Sequence, residues 1–197
     1  MSISEVSSNQ DQQVKGFATG EHVVLRPVLE DDLAALAVLL ANNPGEPDRQ
    51  PWTHQRLKKQ FDDEKEPGLW GKSTRVLAAL RKDTGEVIGY LKERRDDNPG
   101  VVWAWLHVAD GTAERETLGP DIIRAFLAFK QRWHDPLRIS FDVLGCEADK
   151  ARWLDGCGFP LEVRRERMVL WLGQPQAVCT HTWYSERLKA DLAGRDV

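Results

Sequence analysis

Val101-Val-Trp-Ala-Trp-Leu-His-Val-Ala109, Asp110-Gly-Thr-Ala-Glu-Arg-Glu-Thr117 and Leu118-Gly-Pro-Asp-Ile-Ile-Arg-Ala-Phe126 follow one another in the chain, and their succession decides the fold. The first segment is nearly all apolar with weak alternation, the pattern of a strand buried on both faces near the middle of a sheet. The second is a polar connector. The third opens a helix: Thr117 is the predicted N-cap, Pro120 is tolerated where first-turn N–H groups have no helical partner, and Gly119 lets something approach the backbone. A strand that delivers a helix N-terminus across a polar turn makes an anion site, most naturally for a phosphate.

Downstream, the predicted helix Leu118 to Trp133 carries Ile122, Ile123, Phe126, Leu127, Phe129 and Trp133, so it packs against the sheet. The strand Leu137 to Leu144 is reached by a helical crossover and must run parallel to the organising strand. A short helix in EADKARWLDGCGF ends at Gly156 or Gly158, with Phe159 returning inward. FPLEVRRERMVLWL then reads as a long strand, AVCTHTWY as the closing strand, and Ser185 as the cap of a terminal helix. Upstream, HVVLRPV is a strand, EDDLAALAVLLAN an amphipathic helix and HQRLKKQFDDEK a more exposed one. RVLAALRK and EVIGYLKER form a hairpin through Asp83-Thr84-Gly85, and DDNPG leads back to Val101, which makes this a meander of antiparallel neighbours. The order is β α α β β β α β α β β α. Residues 1–20 are Ser/Gln/Asp-rich and predict a flexible arm; residues 21–193 predict one domain.

Composition narrows the class. The 197 residues are 41% hydrophobic and 29% charged, enough for one domain with a real core. A net charge of -4 speaks against a nucleic-acid partner, since Arg94, Arg95 and Arg164, Arg165, Arg167 are interleaved with acidic residues. No apolar run approaches the roughly 18 residues that span a bilayer, and the first residues are polar, so no membrane partner and a cytoplasmic location are expected. Cys146, Cys157 and Cys179 lack metal-ligand spacing and read as small buried hydrophobes, with no metal expected.

The element order, with a set of local signatures, resembles the GNAT N-acetyltransferase superfamily and, within it, the branch of the ribosomal-protein N-terminal acetyltransferases. The signatures are the opening LRPVLEDDLAAL, the VIGY of the third strand, the apolar fourth strand with its loop and helix N-terminus, and the block DVLGCEADKARWLDGCGFPLEVRRERMVL. In that block Leu154 to Phe159 sits in the family's E-K-L-G-F frame, Glu147 and Lys150 occupy the Asn and Ser of N-x-x-S, and Trp153 falls where a tyrosine acid often sits. Of the family's pyrophosphate loop, Q/R-x-x-G-x-G/A, one glycine remains, Gly119.

The resemblance implies an α/β (α+β) fold: a mixed, mostly antiparallel seven-stranded sheet with helices on both faces and a splay between strands four and five. It implies an acetyl-CoA-dependent N-acetyltransferase of a small-molecule amine or a peptide or protein N-terminal amine, by direct attack in a ternary complex. The alternative is a GNAT-fold binding or regulatory module that has lost catalysis. The backbone of Leu106, His107 and Val108 would pair with the pantetheine arm of acetyl-CoA, and the amides near Leu118 and Gly119 would hold its pyrophosphate. Lys150 and Arg152 are candidate phosphate contacts, and Trp153 a packing residue against the arm or the core. His107 is the candidate catalytic residue, because an unperturbed imidazole titrates near neutrality; Glu93 and Glu21 are more distant candidates for a base. Trp52, Trp70, Trp103 and Trp105 are candidates for an acceptor pocket, and Thr182 to Tyr184 for the surface of a homodimer.

Overall fold

The computed structural model describes residues 17–41, 53–63, 74–95, 100–109 and 111–194. Two segments open the sheet, β1 (Ala18–Thr19) and β2 (Val23–Pro27), and two helices follow, α1 (Leu33–Ala41) and α2 (His54–Asp63). The meander is β3 (Thr74–Arg81), β4 (Val87–Arg95) and β5 (Val101–Val108). Then come α3 (Arg115–Trp133), β6 (Arg138–Leu144), α4 (Ala148–Gly156), β7 (Leu161–Trp171), β8 (Gln174–Tyr184) and α5 (Glu186–Ala193). They build one eight-stranded sheet in the order β1-β2-β3-β4-β5-β6-β8-β7, antiparallel throughout except for the parallel pair β5 and β6. No described helix is long and apolar enough to cross a membrane.

Side-chain alternation divides the sheet into two faces. Leu77, Leu91, Ala104, Leu106, Ile139, Phe141 and Val143 point to one side, where Ile122 and Phe126 of α3 and Leu154 of α4 close the main core. Phe141 sits edge-on to both Phe126 and Phe159, at centroid distances of 6.1 and 5.3 Å, the geometry aromatic quadrupoles prefer. On the other side Ala78, Leu80 and Tyr90 meet Leu33, Leu36 and Leu57 of α1 and α2. This second core reaches only the β2 to β4 half of the sheet.

The expected topology holds, with four corrections. An eighth strand exists because residues 18–19, assigned by sequence to the arm, pair with β2. The Asp121 carboxylate of α3 fastens this corner, accepting the backbone N–H groups of Glu21, His22 and Val23 at 3.1, 2.8 and 3.1 Å. Second, α3 opens at Arg115 rather than Leu118, and its N-cap is Glu114 in the left-handed region at φ 61, not Thr117. Pro120 therefore lies in the second turn, where it withholds the N–H that the Glu116 carbonyl would otherwise accept. Third, the last strand of the chain is not the edge of the sheet: β8 lies between β6 and β7, its ladder with β7 ends at Leu161↔His181, and the edge belongs to β7. That edge is bulged between Arg165 and Val169, with Arg167 at φ 53, a device that hinders edge-to-edge pairing. Fourth, Cys146 is exposed, while Cys179 is buried and Cys157 half-buried.

Candidate active site

The parallel pairing of β5 with β6 runs from Val101↔Arg138 to Ala104↔Phe141 and stops there. Beyond it each strand stays with its other neighbour: β5 pairs with β4 as far as Gly89↔Val108, and β6 pairs with β8 through Leu144↔Val178. Two well-paired half-sheets with a right-handed twist diverge once the bonds between them end, and the splay between the fourth and fifth long strands is the result.

Backbone alternation determines what faces this gap. The Ala109 N–H donates to the Ile88 carbonyl at 3.0 Å, so in the β4–β5 register the Tyr90↔His107 pair exchanges its hydrogen bonds and the Gly89↔Val108 and Leu91↔Leu106 pairs do not. Leu106 and Val108 thus turn their N–H and C=O groups toward the gap, whereas the His107 backbone is engaged by β4. Gly89 permits this close pairing, because a Cβ there would stand 2.3 Å from the His107 carbonyl oxygen. The Val108 carbonyl already accepts from Arg115 Nε at 3.3 Å.

The gap opens into a cleft of about 490 Å³ lined by His107, Arg115, Glu147, Asp149, Lys150 and Trp171, with Cys146 and Ala148 beside them. Two ion pairs line it, one between α3 and α4 and one within the first turn of α4. Arg115, at the start of α3, binds Asp149 of α4, and Lys150 binds Glu147, whose second oxygen accepts the Leu144 N–H at 2.8 Å. Lys150 is 3% exposed, so it is a cleft-wall residue rather than a solvated helix charge.

His107 is 2% exposed, and its Nδ1 has no hydrogen-bond partner among the described residues. Burial, then the charges of Lys150 and Arg115, push its pKa down to about 3, with Asp149 opposing. The imidazole is therefore neutral across the physiological range. Proton transfer to it from an alkylammonium of pKa near 10 is uphill by about 7 units, or roughly 10 kcal/mol. The expectation of a base that titrates near neutrality is corrected accordingly. What His107 offers is a buried, neutral hydrogen-bonding atom beside the gap.

The other candidates separate. Leu118 is 1% exposed and its N–H donates to the Glu114 carbonyl at 3.0 Å, so that amide belongs to the helix and not to a ligand. Gly119 faces Trp153: an added Cβ would meet three indole atoms at 2.4 to 2.7 Å. Trp153 is clasped between the helices, its Nε1 donating to Glu116 at 2.9 Å and Arg115 stacking on its ring at 5.0 Å. Arg152 pairs with Glu116 outside the cleft. Glu93 is buried between Lys130 and Arg75 under α3, and Glu21 is exposed by the β1–β2 turn. Trp103 and Trp105 lie on the sheet face opposite α3, half-buried. Trp52 and Trp70 are outside the described residues. Sequence reasoning missed Arg115, Asp149, Cys146 and Trp171. Placing the helix start at Arg115 would have exposed the first two; Trp171 reaches the cleft only through the β7–β8 hairpin and leaves no local signal. No three His, Cys, Asp or Glu side chains among the described residues come together as metal ligands would.

No protein-family model matches the sequence, and no curated protein matches it. Solved structures do match in shape. A spermidine N-acetyltransferase from Vibrio cholerae, in complex with CoA and spermine, superposes with a TM-score of 0.71 over 85% of this chain and 98% of its own, at 13% identity. A GNAT-family acetyltransferase from Bacillus anthracis gives 0.70 over 85% and 97%, at 9% identity. With the parted parallel strands and the helices on both faces, these likenesses establish that the chain has the GNAT acetyltransferase fold.

Proposed function

We propose that this protein is an acetyl-CoA-dependent N-acetyltransferase acting on a small-molecule amine or a peptide N-terminal amine by direct attack in a ternary complex. The observation that carries this reading is the end of β5–β6 pairing at Ala104↔Phe141, which leaves a polar backbone edge facing a cleft. Bound acetyl-CoA would supply a thioester as acyl donor. Its amide-bearing arm suits the gap-facing N–H and C=O of Leu106 and the N–H of Val108, as a further strand would. Arg115 and Lys150 stand where the cleft would meet negative charge. That replaces glycine-loop amides with side chains, since Gly119 packs on Trp153. The sequence signatures quoted above favour the ribosomal-protein N-terminal acetyltransferase branch, which keeps a peptide amine among the acceptors.

Transfer forms one C–N bond and breaks one C–S bond; the attacking nitrogen must start unprotonated, and the proton it sheds after attack leaves with the coenzyme sulfur as free thiol. His107 cannot take that proton from an ammonium, so the free-amine fraction reacts, and the buried imidazole orients it or a water through a neutral hydrogen bond. Titration calorimetry with acetyl-CoA, joined to a thiol-release assay with mixed amines, tests the proposal. Binding with amine-dependent release of free coenzyme thiol is expected. Coenzyme binding without release would favour the non-catalytic binding module, a reading supported by the depressed pKa of the buried His107. Absence of both would remove the acyltransferase reading altogether.

A further inference from the structure

The half of the sheet that α1 and α2 leave uncovered has a definite chemistry. On that face β5 presents Trp103, Trp105 and His107 at every second position, so two half-buried indoles lead along the strand to the cleft over about 13 Å. Register places Arg94 beside Trp103 and, across the sheet, Arg138 beside Tyr184. Arg94 lies 6.0 Å from the Trp105 ring, and Arg138 lies between Trp103 and Tyr184 at 5.4 and 5.8 Å. Arg165 of β7 completes the row over Asp142 and Thr180.

Among the described residues, three arginines here oppose two carboxylates, in a chain whose net charge is -4. The carboxylates are occupied. Glu162 accepts from Thr182, Tyr184 and Arg138 at 2.5, 2.5 and 2.8 Å, contacts that hold its pKa below the usual value against the effect of burial. Asp142 accepts from Thr180 at 2.6 Å and Arg165 at 3.3 Å. The guanidiniums retain capacity: of five N–H groups Arg138 directs Nε to Ser140 and one terminal nitrogen to Glu162, and Arg165 bonds through one terminal nitrogen. The face is therefore built to receive an anion, with its arginines held in place by stacking and by their own carboxylates.

We propose that the acceptor amine also carries an anionic group, carboxylate or phosphate, which Arg138 and Arg165 grip while Trp103 and Trp105 wall the path to the gap. This rests on the acyltransferase reading and specifies its substrate class, in contrast to the spermine bound by the Vibrio cholerae enzyme, a polycation.

The test pairs acceptors that differ only in the anion: alanyl-phenylalanine against alanyl-phenylalaninamide, and O-phosphoethanolamine against ethanolamine, with spermidine as the cationic control. Calorimetric binding in the presence of coenzyme A and kcat/KM for thiol release are both read. The wild-type protein should favour the anionic member of at least one pair ten-fold or more; which pair shows it tells carboxylate from phosphate. Arg165→Gln, a change at a half-exposed position, should bring that ratio toward one while turnover of the neutral partner persists. Arg138→Gln should do the same, with circular dichroism reporting whether the strand network survives. Equal or better binding of the neutral member or of spermidine would overturn the proposal. If no acceptor releases thiol, the catalytic reading fails, yet tighter binding of the anionic member would still uphold the anion site.

Discussion

Replacing Gly119 by alanine separates two roles that sequence alone cannot distinguish. A glycine that exposes its amide to a diphosphate lies in open space, and Gly→Ala inside a helix would then stabilise the protein by about 1 kcal/mol while weakening the coenzyme. In the structure the new methyl meets Trp153 Cε3, Cζ3 and Cδ2 at 2.4, 2.5 and 2.7 Å. The indole has little room to retreat, being 3% exposed, hydrogen-bonded to Glu116 and covered by Arg115. Overpacking of this kind costs about 1–3 kcal/mol, and contacts this short place it toward the upper end. Set against the propensity gain, the net loss is about 1–2 kcal/mol, or roughly 3–6 °C in Tm for a domain of this size. Urea denaturation measures it, with coenzyme A affinity determined in parallel. A more stable variant with impaired coenzyme binding would refute the packing assignment and return Gly119 to the ligand.

Three further perturbations follow from the same geometry. Because the folded-state pKa of His107 lies near 3 and the unfolded value near 6.5, the unfolded chain alone takes up this proton between those pH values. Stability should therefore fall by about 1.4 kcal/mol per unit as pH drops from 6.5 toward 3; His107→Phe should lose that component of the slope, and an unchanged slope in the variant would contradict it. Asp121→Ala removes a carboxylate that accepts three backbone N–H groups, and a loss of about 2–4 kcal/mol in urea denaturation is expected, with amide exchange accelerated at Glu21 to Val23; normal protection there would argue against the fastening. Glu93→Leu leaves the 0% exposed Lys130 without its carboxylate and should cost about 3–5 kcal/mol, so a neutral effect on Tm would remove the buried ion pair from the account.

Much of the architecture was legible in the chain because burial enforces periodicity. The meander, the helical crossover to a parallel strand and the return of Phe159 into the core follow from alternation, from turn residues at Asp83 to Gly85, and from Gly158 at φ 83. The gap is a consequence of topology: two half-sheets meet at a single parallel pair. What escaped was set by conformations and contacts with weak local signals. Glu114 takes the left-handed cap that glycine or asparagine would normally advertise, so the start of α3 was read late and Arg115 was missed. His107 lines the cleft through its side chain while its backbone, expected to face the coenzyme arm, is bonded to β4; its charge state depends on burial and then on Lys150 and Arg115, which belong to two different helices. Trp171 arrives from the far end of the β7–β8 hairpin, a placement no spacing rule encodes.

The decisive measurement is amide hydrogen exchange, residue by residue along β5, as coenzyme A is added. The Leu106 and Val108 amides, which face the gap, should gain protection at saturating coenzyme while His107, already bonded to β4, changes little. Protection that appears elsewhere in the sheet, or none at a concentration that saturates calorimetric binding, would contradict this placement of the coenzyme arm.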